Sequence, residues 1–167
     1  MTQWWILLAV VYLLSLQAAA QHHRKALYPA AYRVKRGAYS LINPTFQHSQ
    51  EDAGLLFEIL LSGMQIRGDN DTLLIPDEEL ASLRRVKALE IICEDVLPKK
   101  LSEIRRLTAE LARRRRPLGW QDFERTVLTL VYTSQTLAQT ADPYQRGLWT
   151  DSLMQLFRAV QKDLRPS

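Results

Sequence analysis

The longest amphipathic segment of the chain runs from Trp120 to Thr140. Its apolar residues recur at three- and four-residue steps, which places them on one face of an α-helix. The apolar stripe consists of Trp120, Phe123, Val127, Leu130, Val131, Leu137 and Ala138. The opposite side is polar and carries Gln121, Asp122, Arg125, Thr129, Thr133 and Thr136. This pattern predicts the central helix of a small bundle, with the apolar stripe facing the core.

Four other segments, at residues 49–67, 77–97, 101–113 and 143–164, show the same period. Ser49 suits the N-cap of the first segment, which Gly68 is expected to end. No alternating pattern typical of a β-strand runs beyond a few residues. The sequence therefore predicts an all-α fold, a single compact bundle of four or five helices over residues 50–167 without a sheet. The last two helices are expected to bury Phe123, Val127, Leu130, Trp149, Leu153 and Phe157 together.

Residues 1–20 contain no charged side chain and have the character of a secretory signal peptide. An apolar run is followed by Ala18, Ala19 and Ala20, the small-residue pattern of a signal-peptidase site. The run is short for a membrane span, and no stop-transfer charges follow it directly. We therefore expect cleavage after Ala20 and secretion to the extracellular space. An uncleaved amino-terminal anchor is the alternative.

A basic arm is predicted next, at residues 21–36, with five basic residues and no acid. It ends in Arg33-Val34-Lys35-Arg36, which fits the Arg-x-Lys-Arg pattern of furin-type convertases. The acidic pockets of such proteases pair with several basic side chains at once. Arg33, Lys35 and Arg36 are therefore predicted processing residues, and cutting would yield a product that begins at Gly37. The alternative is a solvated tail that is not cut. Residues 37–49 form a predicted extended lead-in, and residues 21–45 are expected to be weakly packed.

Composition fits a single domain, because 167 residues of which 47% are hydrophobic can bury one core. The charge is unevenly distributed. Residues 37–83 carry one basic residue against eight acids, whereas residues 84–116 carry eleven basic residues against five acids. The helix dipole favours cations at a helix C-terminus, which is a sufficient structural reason for the arginine run before Pro117. A patch for heparan sulfate is the functional alternative. Its residues would be Lys99, Lys100, Arg105, Arg106, Arg113, Arg114, Arg115 and Arg116.

Two further positions are candidates for covalent modification. Asn70-Asp71-Thr72 is an acceptor sequence for N-glycosylation in a polar loop, so we expect a glycan on Asn70 in the secreted chain. Cys93 is the single cysteine and cannot form an internal disulfide. A buried free thiol is one interpretation, and a disulfide-linked dimer through Cys93 is the other, favoured by the oxidising compartment.

Three segments of the sequence resemble the vertebrate proteins called "family with sequence similarity 180", and the member A branch most of all. They lie at residues 29–36, 77–84 and 122–130 and read PAAYRVKR, DEELASLR and DFERTVLTL. The resemblance implies a small secreted protein with the helical fold of that family. It implies no activity, cofactor or binding residue, because the family has no established biochemical role to transfer.

No catalytic motif accompanies these features. The three histidines precede the first predicted helix, and there is no zinc-protease, nucleophile-elbow or phosphate-loop pattern. The sequence favours a secreted non-enzymatic protein that acts by binding a protein, receptor or matrix component. An extracellular carrier of a small apolar ligand is the alternative, and an enzyme built on Glu58, Glu90 or Glu124 is a third hypothesis. No cofactor, metal or nucleic-acid partner is expected.

Overall fold

The computed structural model describes residues 27–35, 38–68 and 73–164. Six α-helices and two antiparallel hairpins make up this part of the chain. The strands pair as β1 with β2 and β3 with β4, and they are β1 (Ala31–Lys35), β2 (Ala38–Ile42), β3 (Gln65–Ile66) and β4 (Leu73–Leu74). The helices are α1 (Gln50–Leu61), α2 (Glu78–Ala81), α3 (Val86–Ile91), α4 (Leu101–Arg113), α5 (Trp120–Gln139) and α6 (Pro143–Leu164). A π-helical segment, Ile92–Val96, continues α3. The predicted modification residues Ala20, Arg36 and Asn70 lie outside the described residues.

The start of α1 follows the predicted capping pattern. The Ser49 hydroxyl accepts the backbone N–H of Asp52 at 3.2 Å, and the Asp52 carboxylate accepts the N–H groups of His48 and Ser49 at 2.9 and 3.0 Å. Arg85 also pairs with Asp52. The helix ends earlier than expected, because Gly63 adopts φ 89° just beyond Leu61, a conformation that favours glycine.

The prediction of an all-α fold is confirmed in part, because the described chain is mostly helical. The expected absence of a sheet is wrong, since two short antiparallel hairpins are present. In the first hairpin, Ala31 pairs with Ile42 and Lys35 with Ala38. Ala31 is buried, whereas the other face of the hairpin exposes Tyr32, Tyr39 and Leu41. Each strand spans only five residues, too few for an alternating pattern to stand out from a short apolar run.

The segment that precedes α1 is better packed than its sequence suggests. Leu27 and Tyr28, within the predicted arm, are buried, and so is Phe46 within the predicted lead-in. The Tyr28 hydroxyl lies 3.2 Å from the hydroxyls of Thr126 and Thr129 on α5. The described part of residues 21–45 therefore contributes to the core, contrary to the expectation of weak packing.

The orientation of α5 is the main departure from the predicted pattern. Leu128 and Tyr132 are buried together with Thr126, Thr129 and Thr133. Each of these threonines donates its hydroxyl proton to the carbonyl four residues earlier, at 2.6–2.8 Å. This bond satisfies the polar atom within the helix and leaves the threonine methyl group free to pack.

The predicted apolar stripe is accordingly turned outward in part. Trp120 is 71% exposed, contrary to its predicted place on the core-facing stripe. Phe157 on α6 is 52% exposed, so the expected mutual burial is wrong for the set Phe123, Val127, Leu130, Trp149, Leu153 and Phe157. Trp149 instead packs edge-on against Tyr132, with ring centroids 6.2 Å apart. Within the described residues, no helix combines the length and the apolar character needed to cross a membrane.

The two faces of α5 can be distinguished by stability. Leu128→Ala should lower the free energy of unfolding by about 2–5 kcal/mol, because Leu128 is fully buried. Trp120→Ala should lower it by less than about 1 kcal/mol, because the side chain is largely in solvent. Urea unfolding followed by circular dichroism measures both. A larger loss for Trp120→Ala would show that the predicted stripe, and not the threonine face, packs in the core.

Candidate functional site

The first two turns of α5 hold the segment at residues 43–47. The Gln121 amide accepts from Asn43 at 3.1 Å and donates to Thr45 at 2.6 Å. One turn later, Glu124 receives two backbone N–H groups, from Phe46 at 3.0 Å and from Gln47 at 2.8 Å. The two bonds to Glu124 satisfy backbone N–H groups that neither a helix nor a sheet pairs.

Glu124 is a structural carboxylate in this arrangement. Burial raises the pKa of Glu124 above its ordinary value, and the N–H groups of Phe46 and Gln47 oppose that shift. Both carboxylate oxygens accept backbone hydrogen bonds, which stabilise the ionised form. Glu58 and Glu90 are exposed on α1 and α3. The three carboxylates named by the enzyme hypothesis therefore lie on three different helices, with one of them fixed by the backbone.

Arg125 lies beside Glu124 and is only 2% exposed. Its Nη2 donates to the side-chain oxygen of Asn43 and to the carbonyl of Pro44, the latter at 2.9 Å. Its Nε has no hydrogen-bond partner among the described residues. No described carboxylate forms an ion pair with it either. Burial lowers the pKa of Arg125, but a guanidinium remains protonated at physiological pH. The fold thus encloses a positive charge whose hydrogen bonds go to neutral acceptors, while the carboxylates of Asp122 and Glu124 stabilise it without forming an ion pair.

Arg125 lines a cleft of about 870 Å³ that we call the arginine cleft. Its wall comes from the loop before α5, from the first turns of α5 and from the amino-terminal segment, and comprises Tyr28, Asn43, Arg114, Arg115, Arg116, Pro117, Gly119, Trp120, Gln121, Asp122 and Arg125. Arg115 and Arg116 are exposed. Arg114 pairs with Asp122 at 2.8 Å. No side chain caps α5 at its N-cap residue, Gly119.

A second basic surface lies between α4 and α6, in a groove of about 370 Å³. Arg105 on α4 faces Arg158 and Lys162 on α6 across a floor that includes alanines. The Lys162 ammonium also donates to the carbonyls of Ala112 and Arg114, at 3.3 and 3.4 Å. These carbonyls belong to the last turn of α4 and the residue that follows it, where a cation is favoured by the helix dipole.

The eight predicted polyanion-binding residues do not form one patch. Lys99 and Lys100 lie at the start of α4, Arg113 is exposed in its last turn, and Arg114, Arg115 and Arg116 line the arginine cleft. Arg105 belongs to the α4–α6 groove. Arg106 lies in another cleft, beside Glu103 and Glu110. The thirteen residues of α4 separate its ends by roughly 20 Å, at about 1.5 Å per residue.

Cys93 lies in the π-helical segment and is fully buried. Burial raises the pKa of its thiol to about 12. A protonated thiol enclosed in the core cannot reach a second chain unless this segment opens, so the structure favours the buried free thiol over the disulfide dimer. Among the described residues, no group of three or more His, Cys, Asp or Glu side chains could hold a metal ion.

Arg33 is the one residue of the predicted processing site whose side chain the structure describes. It lies on β1 and forms long ion pairs with Glu94 and Asp95, at 3.6 and 3.7 Å. Because both partners are partly in solvent, these pairs contribute little to stability. The two ion pairs nevertheless hold Arg33, a side chain that a convertase would need to bind, against the surface of the domain.

Several residues of the basic surfaces were missed by sequence analysis. Arg158 and Lys162 are four residues apart on α6, a spacing that places them on one helix face, and this pattern could have been recognised. The apolar period predicts a core position for Trp120, which is exposed in the structure. The same period predicts a solvent-facing position for Arg125. No local pattern indicates that its partners, Asn43 and Pro44, lie about eighty residues earlier in the chain.

Comparison with known proteins identifies a family but no solved relative. No solved structure matches the chain. The FAM180 family matches residues 27–164, from just before the β1–β2 hairpin to the end of α6. The match covers more than half of the chain and agrees with the resemblance carried by its sequence motifs. The chain therefore belongs to the FAM180 family.

Proposed function

We propose that this protein is a secreted, non-enzymatic helical protein that acts by binding an acidic extracellular partner, with heparan sulfate of the matrix as the first candidate. The observation that carries the proposal is the arginine cleft, whose lining includes four arginines and one carboxylate. Two of those groups, on Arg115 and Arg116, are exposed and available to a partner. Such a local excess of positive charge attracts polyanions and accelerates their association.

The separation of charge supports the same function. The acidic stretch at residues 37–83 and the basic stretch at residues 84–116 belong to different elements of the fold. Within the basic stretch, most basic residues lie on α4 and next to its two ends, and Arg158 and Lys162 on α6 add to them. A polyanion chain longer than one cleft could contact both the arginine cleft and the α4–α6 groove, because both surround the C-terminal end of α4.

The environment of the buried acid Glu124 also favours a binding function over catalysis. A general acid or base needs a carboxylate that reaches a substrate in an accessible cleft. Glu124 is enclosed, and both of its oxygens accept backbone N–H groups. Its contribution is therefore to hold residues 46 and 47 against α5.

Charge-removing variants test the proposed function. Arg115→Gln combined with Arg116→Gln should weaken heparin binding by roughly two- to thirtyfold, because exposed charge contacts are each worth about 0.2–1 kcal/mol. Elution salt on a heparin column and titration calorimetry measure this. Arg67→Gln combined with Arg84→Gln removes the same charge from exposed positions outside the arginine cleft and should elute close to the wild type. The proposal is wrong if the wild type flows through heparin at physiological salt, or if both double variants elute alike.

Secretion is tested through the predicted glycan. In a secretory mammalian host, the medium should contain a chain that begins at Gln21 or Gly37 and carries an N-glycan on Asn70. An amidase that strips N-glycans should increase its gel mobility, and Thr72→Ala should produce the same mobility without the enzyme. Retention of the chain inside the cell, or an unmodified Asn70 in the medium, would contradict the proposed route.

Convertase processing at Arg36 is part of the proposal, but the cut arm is expected to stay bound to the domain. The arm that would be cut away includes β1, which pairs with β2 over five residues, and the buried residues Leu27 and Tyr28. Such contacts do not depend on the peptide bond between Arg36 and Gly37. We therefore infer that cutting produces two associated chains, and that the positive charge of the arm stays on the protein.

Native size-exclusion chromatography of processed protein tests this inference. The peptide that ends at Arg36 should elute with the domain in buffer and separate from it in denaturant, as detected by mass spectrometry. Tyr28→Ala is expected to release the peptide after processing, because the buried ring is lost. Arg36→Ala should leave a single uncut chain. A peptide that dissociates from the processed wild type at physiological salt would mean that cutting does remove the arm.

A further inference from the structure

We propose that the arginine cleft is a built binding site for one acidic sugar unit of a sulfated polysaccharide, with the oxyanion at Arg125 and the start of α5 and the sugar ring on Trp120. This inference rests on the proposed function and deepens it. General attraction between a basic surface and a polyanion needs only exposed charge. The arginine cleft also contains a buried guanidinium, the start of a long helix and an exposed aromatic ring.

The buried charge of Arg125 is the first argument. Burying a charge removes it from water, and hydrogen bonds and opposite charges in direct contact must offset that loss. Arg125 forms no ion pair with a described carboxylate, and its Nε has no described hydrogen-bond acceptor. The carboxylates of Asp122 and Glu124 favour the charged form of Arg125 without forming an ion pair with it. An oxyanion in the cleft would add the directly contacting negative charge that Arg125 lacks. Guanidinium groups bind sulfate and carboxylate oxygens with short, charge-assisted hydrogen bonds.

The start of α5 is the second argument. The helix is twenty residues long, and Gly119 supplies no side-chain cap for its first N–H groups. Unpaired N–H groups and the positive end of the helix dipole favour an anion at this position. The lining of the arginine cleft includes the residues at the start of α5, namely Gly119, Trp120, Gln121 and Asp122. The start of the helix and Arg125 therefore border the same cleft.

Asp122 is the negative charge that opposes anion binding here. Its carboxylate accepts a hydrogen bond from Arg114 Nη1 at 2.8 Å, so the negative charge of Asp122 balances the positive charge of Arg114. Arg115, Arg116 and Arg125 then remain as three positive charges without an ion pair among the described residues. The balance of the cleft is therefore positive even with Asp122 ionised.

Trp120 indicates a sugar and not a bare ion. A 71% exposed tryptophan contributes little to the core, and its ring lies on the wall of the cleft. Exposed aromatic rings next to polar anchors are enriched where ligands bind, because one flat apolar face accepts a ring and the polar groups fix its orientation. A cleft of about 870 Å³ is far larger than sulfate requires and suits a short saccharide.

The decisive test changes the aromatic ring and leaves every charge in place. Trp120→Ala should weaken binding of a heparin-derived hexasaccharide at least about fivefold in titration calorimetry, because the stacking surface is lost. Tyr144→Ala is the matched control, since Tyr144 is 72% exposed but lies on α6 outside the lining of the arginine cleft. It should bind like the wild type. Equal affinities of the two variants would overturn the inference while leaving general heparin binding intact.

Two further arms identify the source of the anion and the part played by Arg125. Trp120 and Trp149 are the tryptophans that remain after signal removal, so Trp149→Phe makes fluorescence report on Trp120 alone. The hexasaccharide should shift this signal at concentrations where sodium sulfate does not; an equal response to sulfate would show a site for small anions only.

Arg125→Lys keeps the charge but loses the planar fork, and should weaken hexasaccharide binding about tenfold. If Arg125→Lys unfolds, the Trp120→Ala comparison still decides. If the wild type binds no hexasaccharide, the proposed function itself fails.

Discussion

The fold depends on α5 using its polar side chains to satisfy the backbone of segments that form neither helix nor long sheet. Glu124 and Arg125 hold residues 44–47, and Tyr132 donates its hydroxyl to the carbonyl of Lys99. Gln135 accepts from the N–H of Ile66 and donates to the carbonyl of Met64. Buried backbone groups without such partners would oppose folding by the desolvation that each requires. One helix therefore fixes the position of three stretches that lie outside the helices and are distant from one another in sequence.

This arrangement explains why the polar side of α5 is buried. Apolar periodicity assumes that a polar side chain faces water, but a threonine that bonds the preceding turn presents a methyl group to its neighbours. Thr126, Thr129 and Thr133 behave in this way. The sequence predicted the existence of α5, its approximate ends and the cap at Ser49. It could not predict the buried face, because that depends on which segments lie against the helix.

The candidate site was predictable only in its exposed part. The run of four arginines before Pro117 is visible in sequence, and three of its members line the arginine cleft. The burial of Arg125 and the exposure of Trp120 follow from the rotation of α5 and from the return of residues 43–47 to it. The short strands β1 and β2 could not be predicted for a related reason. Pairing between the two strands stabilises them, and neither strand is long enough to show an alternating pattern.

The contact between Tyr28 and α5 also constrains the order of events during biosynthesis. The two hydroxyl contacts of Tyr28 join residues 98 and 101 positions apart. Contacts of such separation close late, because the intervening chain must first lose its freedom. At a synthesis rate of about 5–20 residues per second, the amino-terminal segment waits several seconds or longer before α5 is made. A nascent chain that lacks α5 therefore cannot complete its core, and shortened products should depend on chaperones.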